Sequence, residues 1–159
     1  MKKSIVLVVL LAAFATNSFA QLESSSSMGL RYVIPTGTTG DVYESGWGVV
    51  GTTNFKVIPL LSVAVTGSWT SLQAKELTAD ESGNITGLDD LSIIGFTAGP
   101  VLNLGFIDIG VKGGYYFDDI HEWVILPFAQ VDIWLLSLGA EYKAFDQYKW
   151  YSAYLVFNF

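Results

Sequence analysis

The closing stretch of the chain, Trp150 to Phe159, limits the fold more than any other segment. It reads Trp-Tyr-Ser-Ala-Tyr-Leu-Val-Phe-Asn-Phe, and stepping back by twos from the end gives Phe159, Phe157, Leu155, Ala153 and Tyr151, all apolar. Ser152 and Asn158 fall on the opposite side. Successive side chains of a β-strand point to opposite faces, so this periodicity marks a strand with one greasy face. The face carries an aromatic residue at each end, and its length suits a tilted crossing of a bilayer's hydrocarbon layer.

The same alternation recurs upstream. It is cleanest between Leu61 and Ser71, where Leu61, Val63, Val65, Gly67 and Trp69 alternate with Ser62, Ala64, Thr66, Ser68 and Thr70. Comparable segments are expected at about 28–34, 46–55, 91–103, 106–117, 123–133 and 137–145, with the closing strand at 150–159. Pro35 to Ser45, Lys75 to Asp90, Asp118 to Glu122 and Asp146 to Lys149 are the longer connections. Tight reversals are expected near Pro59, Leu104 and Leu135. Gln21 to Ser27, with its run of serines, reads as a loose terminus. Pro127 lies inside an expected strand, and its missing N–H predicts a bulge or an early end to pairing.

Short and long connections that alternate along eight strands describe an all-β fold, an eight-stranded antiparallel up-and-down β-barrel. Its inside and outside then have to be assigned. Hydrophobic residues make up 51% of the chain, yet beyond the first twenty residues no apolar run reaches the length of a membrane helix. A lipocalin-like carrier would turn the apolar face inward; a transmembrane β-barrel turns it out.

Two patterns favour the membrane. Trp47, Trp69, Tyr115, Trp123, Tyr142 and Tyr151 fall on the apolar face toward the long connections, and Phe55, Trp134 and Phe159 toward the short ones. Aromatic residues gathered at two levels match the two interfaces of a bilayer. The opposite face carries Arg31, Lys112 and Lys143 with Asp108, Asp132 and Glu141, a balanced set able to neutralise itself as an interior charge network. Facing lipid, an unpaired charge would cost roughly 2–4 kcal/mol near the midplane.

On these residues the ending resembles the sorting signal of bacterial outer-membrane barrels, carried by Leu155, Phe157 and Phe159, with Tyr154 where a glycine is often found. The resemblance implies recognition by the barrel-assembly machinery. The whole pattern resembles the small eight-stranded outer-membrane barrels of the OmpA transmembrane-domain and OmpX type. It implies an outer-membrane location and contact with outer-membrane lipids, including lipopolysaccharide.

The start fits that address. Met1-Lys2-Lys3, the apolar run Ile5 to Phe14 and the small residues ending at Ala20 have the three parts of a secretory signal peptide over 1–20, leaving 21–159 as the barrel. A membrane anchor would need a longer apolar run. The chain has no cysteine, which leaves the compartment to be argued from the leader. A net charge of −7, more negative once Lys2 and Lys3 leave, argues against nucleic acid as a partner.

For function, three classes compete. The first is a structural or surface-interaction protein, its interior plugged by the charged network together with Val33, Tyr116, Trp150 and Tyr154, and the 75–90 loop offered to a partner. A narrow channel or ligand conduit is the second, opposed by an eight-stranded interior just wide enough for side chains to fill. The third is a lipid A-modifying enzyme, which resembles a His-x-Ser arrangement near the rim; His121 is followed by Glu122 and Trp123, so the nucleophile is absent. Neither a cofactor nor a metal site is expected. Acidic residues of the outer connections, Asp41, Glu44, Glu76, Asp80, Glu81, Asp89, Asp90, Asp118, Asp119, Glu122 and Asp146, form either a solvated rim or a surface bridged to phosphates through divalent cations.

Overall fold

The computed structural model describes residues 23–75, 89–143 and 148–159. The expected leader, most of the 75–90 connection and the end of the seventh expected strand lie outside them. The described residues form strands β1 (Ser24–Thr36), β2 (Tyr43–Ile58), β3 (Leu61–Ala74), β4 (Leu91–Asn103), β5 (Ile107–Asp118), β6 (Glu122–Ile133), β7 (Leu136–Lys143) and β8 (Lys149–Asn158), with a short helix α1 (Thr38–Val42) after β1. Each strand pairs with its sequence neighbours, and β8 pairs with β1 from Ser27↔Asn158 to Thr36↔Lys149, which closes the barrel. No strand edge is left over, so this meander satisfies its backbone without a covering layer.

Burial follows the alternation. Along β8, Trp150, Ser152, Tyr154 and Val156 are buried, while Tyr151, Ala153, Leu155 and Phe157 are exposed. Along β3, Ser62, Ala64, Thr66, Ser68 and Thr70 face inward. Leu30, Val49, Val65, Ile109, Ile125 and Leu138 stand on the outer wall, exposed. The short connections, the start of β1 and Phe159 share one end of the barrel; α1, the end of β3, the start of β4 and the entries to β6 and β8 share the other. Gly105, with φ of +87°, makes the reversal between β4 and β5, where a side chain would be strained.

Several boundaries differ from the sequence reading. The serine run is not a loose terminus: Ser24 to Ser27 pair with Phe55 to Thr52, and Ser26 exchanges backbone hydrogen bonds with Phe159 at 3.1 and 2.8 Å. Closure demands this, because β1 must run as far as the two strands it joins, and a serine backbone serves a ladder as well as a valine's. The expected loop at 35–45 contains α1 and gives its last residues to β2. Pro127 causes no bulge. The β5–β6 ladder runs through Val111↔Pro127, whereas the β6–β7 ladder stops at Phe128↔Glu141, one residue short of it.

Candidate functional site

The interior is the first place to look, since it collects the chain's buried ions. Glu141 is their hub. Its Oε1 lies 2.6 Å from Arg31 Nη2 and its Oε2 accepts from Lys112 Nζ at 3.0 Å. All three side chains are almost fully shielded. Arg31 also donates to Ser152 Oγ at 2.9 Å, and Lys112 sits over the Phe128 ring, 4.8 Å from its centroid. Placed on β1, β5 and β7, these groups cross-brace strands that are not neighbours in the ladder. A carboxylate with two cations in a shielded interior is held by charge-assisted bonds that each need the others.

The structure divides the remaining members of the expected network. Lys143 joins Glu122 instead of the hub, donating to its Oε1 and to the Tyr148 carbonyl, with the Trp150 ring 4.5 Å away. Glu122, expected among the acids of the outer connections, is buried. The sign was available, because Glu122 shares the parity of Val124, Leu126, Phe128, Gln130 and Asp132, and the strand begins one residue earlier than expected. Asp108 and Asp132 form no ion pair among the described residues. Asp108 accepts from Asn103 Nδ2 at 3.0 Å, and Asp132 accepts from Gln130 Nε2 at 2.7 Å. With Ser62 donating to Asn103 Oδ1 at 2.6 Å and Asn158 Nδ2 donating to Ser137 Oγ at 2.7 Å, they make a polar mouth at the short-turn end.

Toward the long connections the interior is mostly apolar around the Lys143–Glu122 pair. Val33, Leu72, Leu91, Ile93, Tyr116, Ile120, Val124, Leu126 and Trp150 form one buried cluster, with Tyr43 and Tyr148 against it. Tyr116 stacks on Trp150 with centroids 5.7 Å apart and planes 9° from parallel. Interior aromatics are admitted by glycines directly across the ladder. Tyr116 lies over Gly95, Phe128 over Gly110 and Tyr154 over Gly139, each so close that an added Cβ would stand 2.3, 2.6 and 2.2 Å from the ring. A cavity of about 10 Å³, room for about one water, remains between Thr52, Asn54, Asp108, Lys112, Gln130 and Tyr154.

On the outer wall, Trp47, Trp123, Tyr151, Trp134 and Phe159 are exposed and Trp69, Tyr115, Tyr142 and Phe55 partly so. Several pair across strands: Tyr115 with Trp123 at 5.3 Å, Tyr142 with Tyr151 at 4.6 Å, and Tyr32, which the sequence reading left out of the belt, with Trp47 at 4.7 Å. Trp69 donates to Ser92 Oγ at 3.1 Å. Leu155 and Phe157 of the expected assembly signal also face outward. His121 is exposed on the connection before β6.

No protein-family model matches the sequence, and no curated protein does. Solved structures do match. Ail, the attachment invasion locus protein of Yersinia pestis, superposes with a TM-score of 0.54 at 18% identity, over 87% of this chain and 99% of its own. The chain has the fold of the small eight-stranded outer-membrane barrels. Ail in a phospholipid bilayer nanodisc gives 0.51 at 14% identity, over 86% of this chain and 100% of that one. A de novo designed transmembrane β-barrel gives 0.54 at 15% identity, over 85% and 95%. A designed barrel among the neighbours shows that the likeness is one of architecture, and it does not single out the OmpA or OmpX type.

Proposed function

We propose that this chain is an integral protein of the bacterial outer membrane, with a structural or surface-interaction role and a barrel that does not conduct. One observation carries this: the exposed wall is made of Leu30, Val49, Val65, Ile109, Ile125, Leu138 and Leu155, while Arg31, Lys112, Lys143, Glu122 and Glu141 are buried. Only a hydrocarbon surround rewards that inversion. Residues 1–20 act as the export signal, and Leu155, Phe157 and Phe159 as the segment read by the barrel-assembly machinery. Trp47, Trp69, Tyr115, Trp123, Tyr142 and Tyr151 form the outer belt, in contact with lipopolysaccharide; Phe55, Trp134 and Phe159 form the inner one. The absence of conduction is supported by the Glu141 hub and the apolar cluster above it, which together fill the bore.

The outer rim suits a different partner from Ail's. Ail has been captured with the heparin analogue sucrose octasulfate, a polyanion. Here the exposed rim carries Asp41, Glu44, Asp89, Asp90, Asp118 and Asp119, which would repel a sulfated sugar and suit a cationic partner, offered through the 75–90 loop, or divalent ions. A catalytic role has little to draw on, since His121 has no serine two places beyond it.

The deciding experiment is fractionation of the producing cell, followed by gel mobility with and without boiling and by planar-bilayer recording. The expected result is an outer-membrane band that shifts on heating and a silent bilayer. Recovery as a monodisperse protein in detergent-free buffer sinks the membrane reading; large unitary currents sink the closed-barrel part alone.

A further inference from the structure

The short turns themselves lack the polar residues that turns standing in water normally carry. Ile58 and Leu60 flank Pro59 between β2 and β3, Leu104 and Phe106 flank Gly105, and Trp134 with Leu135 makes the last reversal; all are exposed, Trp134 at 91%. Phe159 stands beside them, also exposed. Of the charged side chains at this end, Lys56 and Glu23 pair with each other at 3.0 Å, and Asp108 and Asp132 lie on the interior face, hydrogen-bonded to Asn103 and Gln130. At the other end the exposed residues include six carboxylates, Asp41, Glu44, Asp89, Asp90, Asp118 and Asp119.

Length explains the difference. A strand climbs about 2.5 Å per residue along the axis of a tilted barrel, so Trp69 to Leu60, Tyr115 to Phe106 and Trp123 to Trp134 each span about 23 to 28 Å. The apolar band of an outer-membrane barrel is about 25 Å tall. With the outer belt at its interface, the turn tips reach the inner interface and go no further.

We propose that the short turns are themselves a lipid-binding surface: Leu60, Phe106, Trp134 and Leu135 are seated in the headgroup zone of the inner leaflet, and the barrel ends flush with that leaflet without projecting beyond it. The occupant is phospholipid because the apolar surface is continuous with the lipid-facing wall and its exposed tips, Leu60, Leu104, Phe106, Trp134 and Leu135, are uncharged, the nearest carboxylates, Asp108 and Asp132, lying on the interior face. The polar mouth formed by Asn103, Asp108 and Asp132 opens at the same level, where headgroups and water meet. This inference rests on the membrane reading above, and its test separates the two.

The chain has no cysteine, so single spin labels can be placed at Leu60→Cys, Phe106→Cys and Leu135→Cys, with Val65→Cys as a wall control and Asp41→Cys as a loop control, in phosphatidylcholine vesicles. Accessibility to a water-soluble nickel complex should be several-fold lower at the three turn sites than at position 41, with oxygen accessibility approaching that at 65. Turn sites as open to nickel as position 41, while 65 stays shielded, overturn the flush seating and leave the membrane reading intact. Nickel access at 65 as well removes both. Spin–spin broadening between turn labels of different molecules also overturns it, by giving the surface to a second copy. The unaltered protein supplies a check free of substitution: it should resist urea better in thin dilauroyl vesicles than in thick dierucoyl ones, and the reverse order counts against the seating.

Discussion

Inside the barrel, β2, β3 and β4 turn mostly small groups toward the axis, Gly46, Gly48, Ser62, Ala64, Thr66, Ser68, Thr70, Gly95 and Thr97, whereas β5 to β8 supply Lys112, Tyr116, Leu126, Phe128, Lys143, Trp150 and Tyr154. The ladders divide the same way. Both ladders of β3 run unbroken through its middle, from Lys56↔Ser62 to Gly46↔Leu72 on one side, with a register shift beyond each of those ends, and from Leu61↔Leu102 to Leu72↔Leu91 on the other. The β6–β7 ladder covers only Phe128↔Glu141 to Ile133↔Leu136. A narrow barrel cannot be filled from every side at once, so one wall provides the filling and the other a smooth surface to receive it. Where the filling wall's backbone pairing gives out, side chains take over: Lys143 of β7 reaches Glu122 of β6 beyond the last ladder pair.

If the filled wall is held by its ions, removing the hub should do the most damage. Glu141→Gln leaves Arg31 and Lys112 buried without a counter-charge, and a loss of about 3–5 kcal/mol is expected. Urea unfolding from vesicles measures it, and a loss under about 1 kcal/mol would mean that water already reaches the hub. The smooth wall should fail differently, by overpacking. Gly95→Val drives a branched side chain into the Tyr116 ring, at an expected cost of up to about 3 kcal/mol. Combined with Tyr116→Ala, it should cost less than the two single changes added together, because the collision is gone. Strict additivity would show that the smoothness of this wall is unrelated to the filling opposite.

The seam comes next in size. Lys143→Met removes the side-chain tie between β6 and β7, and about 2 kcal/mol is expected from losing charge-assisted bonds. Hydrogen exchange should speed up at Trp123 to Leu126 and stay unchanged along β3. Equal acceleration on both strands would mean that the barrel opens as one unit.

The sequence displayed the smooth wall better than the filled one. Strict alternation from Leu61 to Trp69 is legible because one face is lipid-apolar and the other small and polar. On β6 both faces are apolar, Val124, Leu126 and Phe128 inward against Ile125 and Ala129 outward, so period two vanishes and only the parity of Gln130 and Asp132 points inward. That is why Glu122 was assigned to the rim. The opposite sign and shared face of Arg31, Lys112 and Glu141 were visible, but which cation meets which anion depends on how the strands are staggered around the barrel, and no single strand encodes that. The serine run failed for a related reason: its strand character comes from pairing with Thr52 to Phe55 and from barrel closure, both distant in sequence.

The smallest effect asks why the seam exists at all. Pro127 of β6 and, on the opposite wall, Pro100 of β4 each sit where one of the strand's two ladders is interrupted. Pro100 pairs with Val63 on the β3 side, while the β4–β5 ladder passes from Ala98↔Gly113 to Val101↔Gly110 without it. Pro127 pairs with Val111 on the β5 side, and the β6–β7 ladder ends beside it. An unbroken ladder on one side places the missing N–H on the other, so Pro127 withholds its donor from β7. Pro127→Val restores that donor and adds a side chain suited to strands, with an expected gain of about 1 kcal/mol and a newly protected amide at position 127. An amide there that exchanges as fast as those of the outer connections would show that β7 has already left β6 at this level, and that Lys143 with Glu122 spans a gap set by the chain's path and not by the proline.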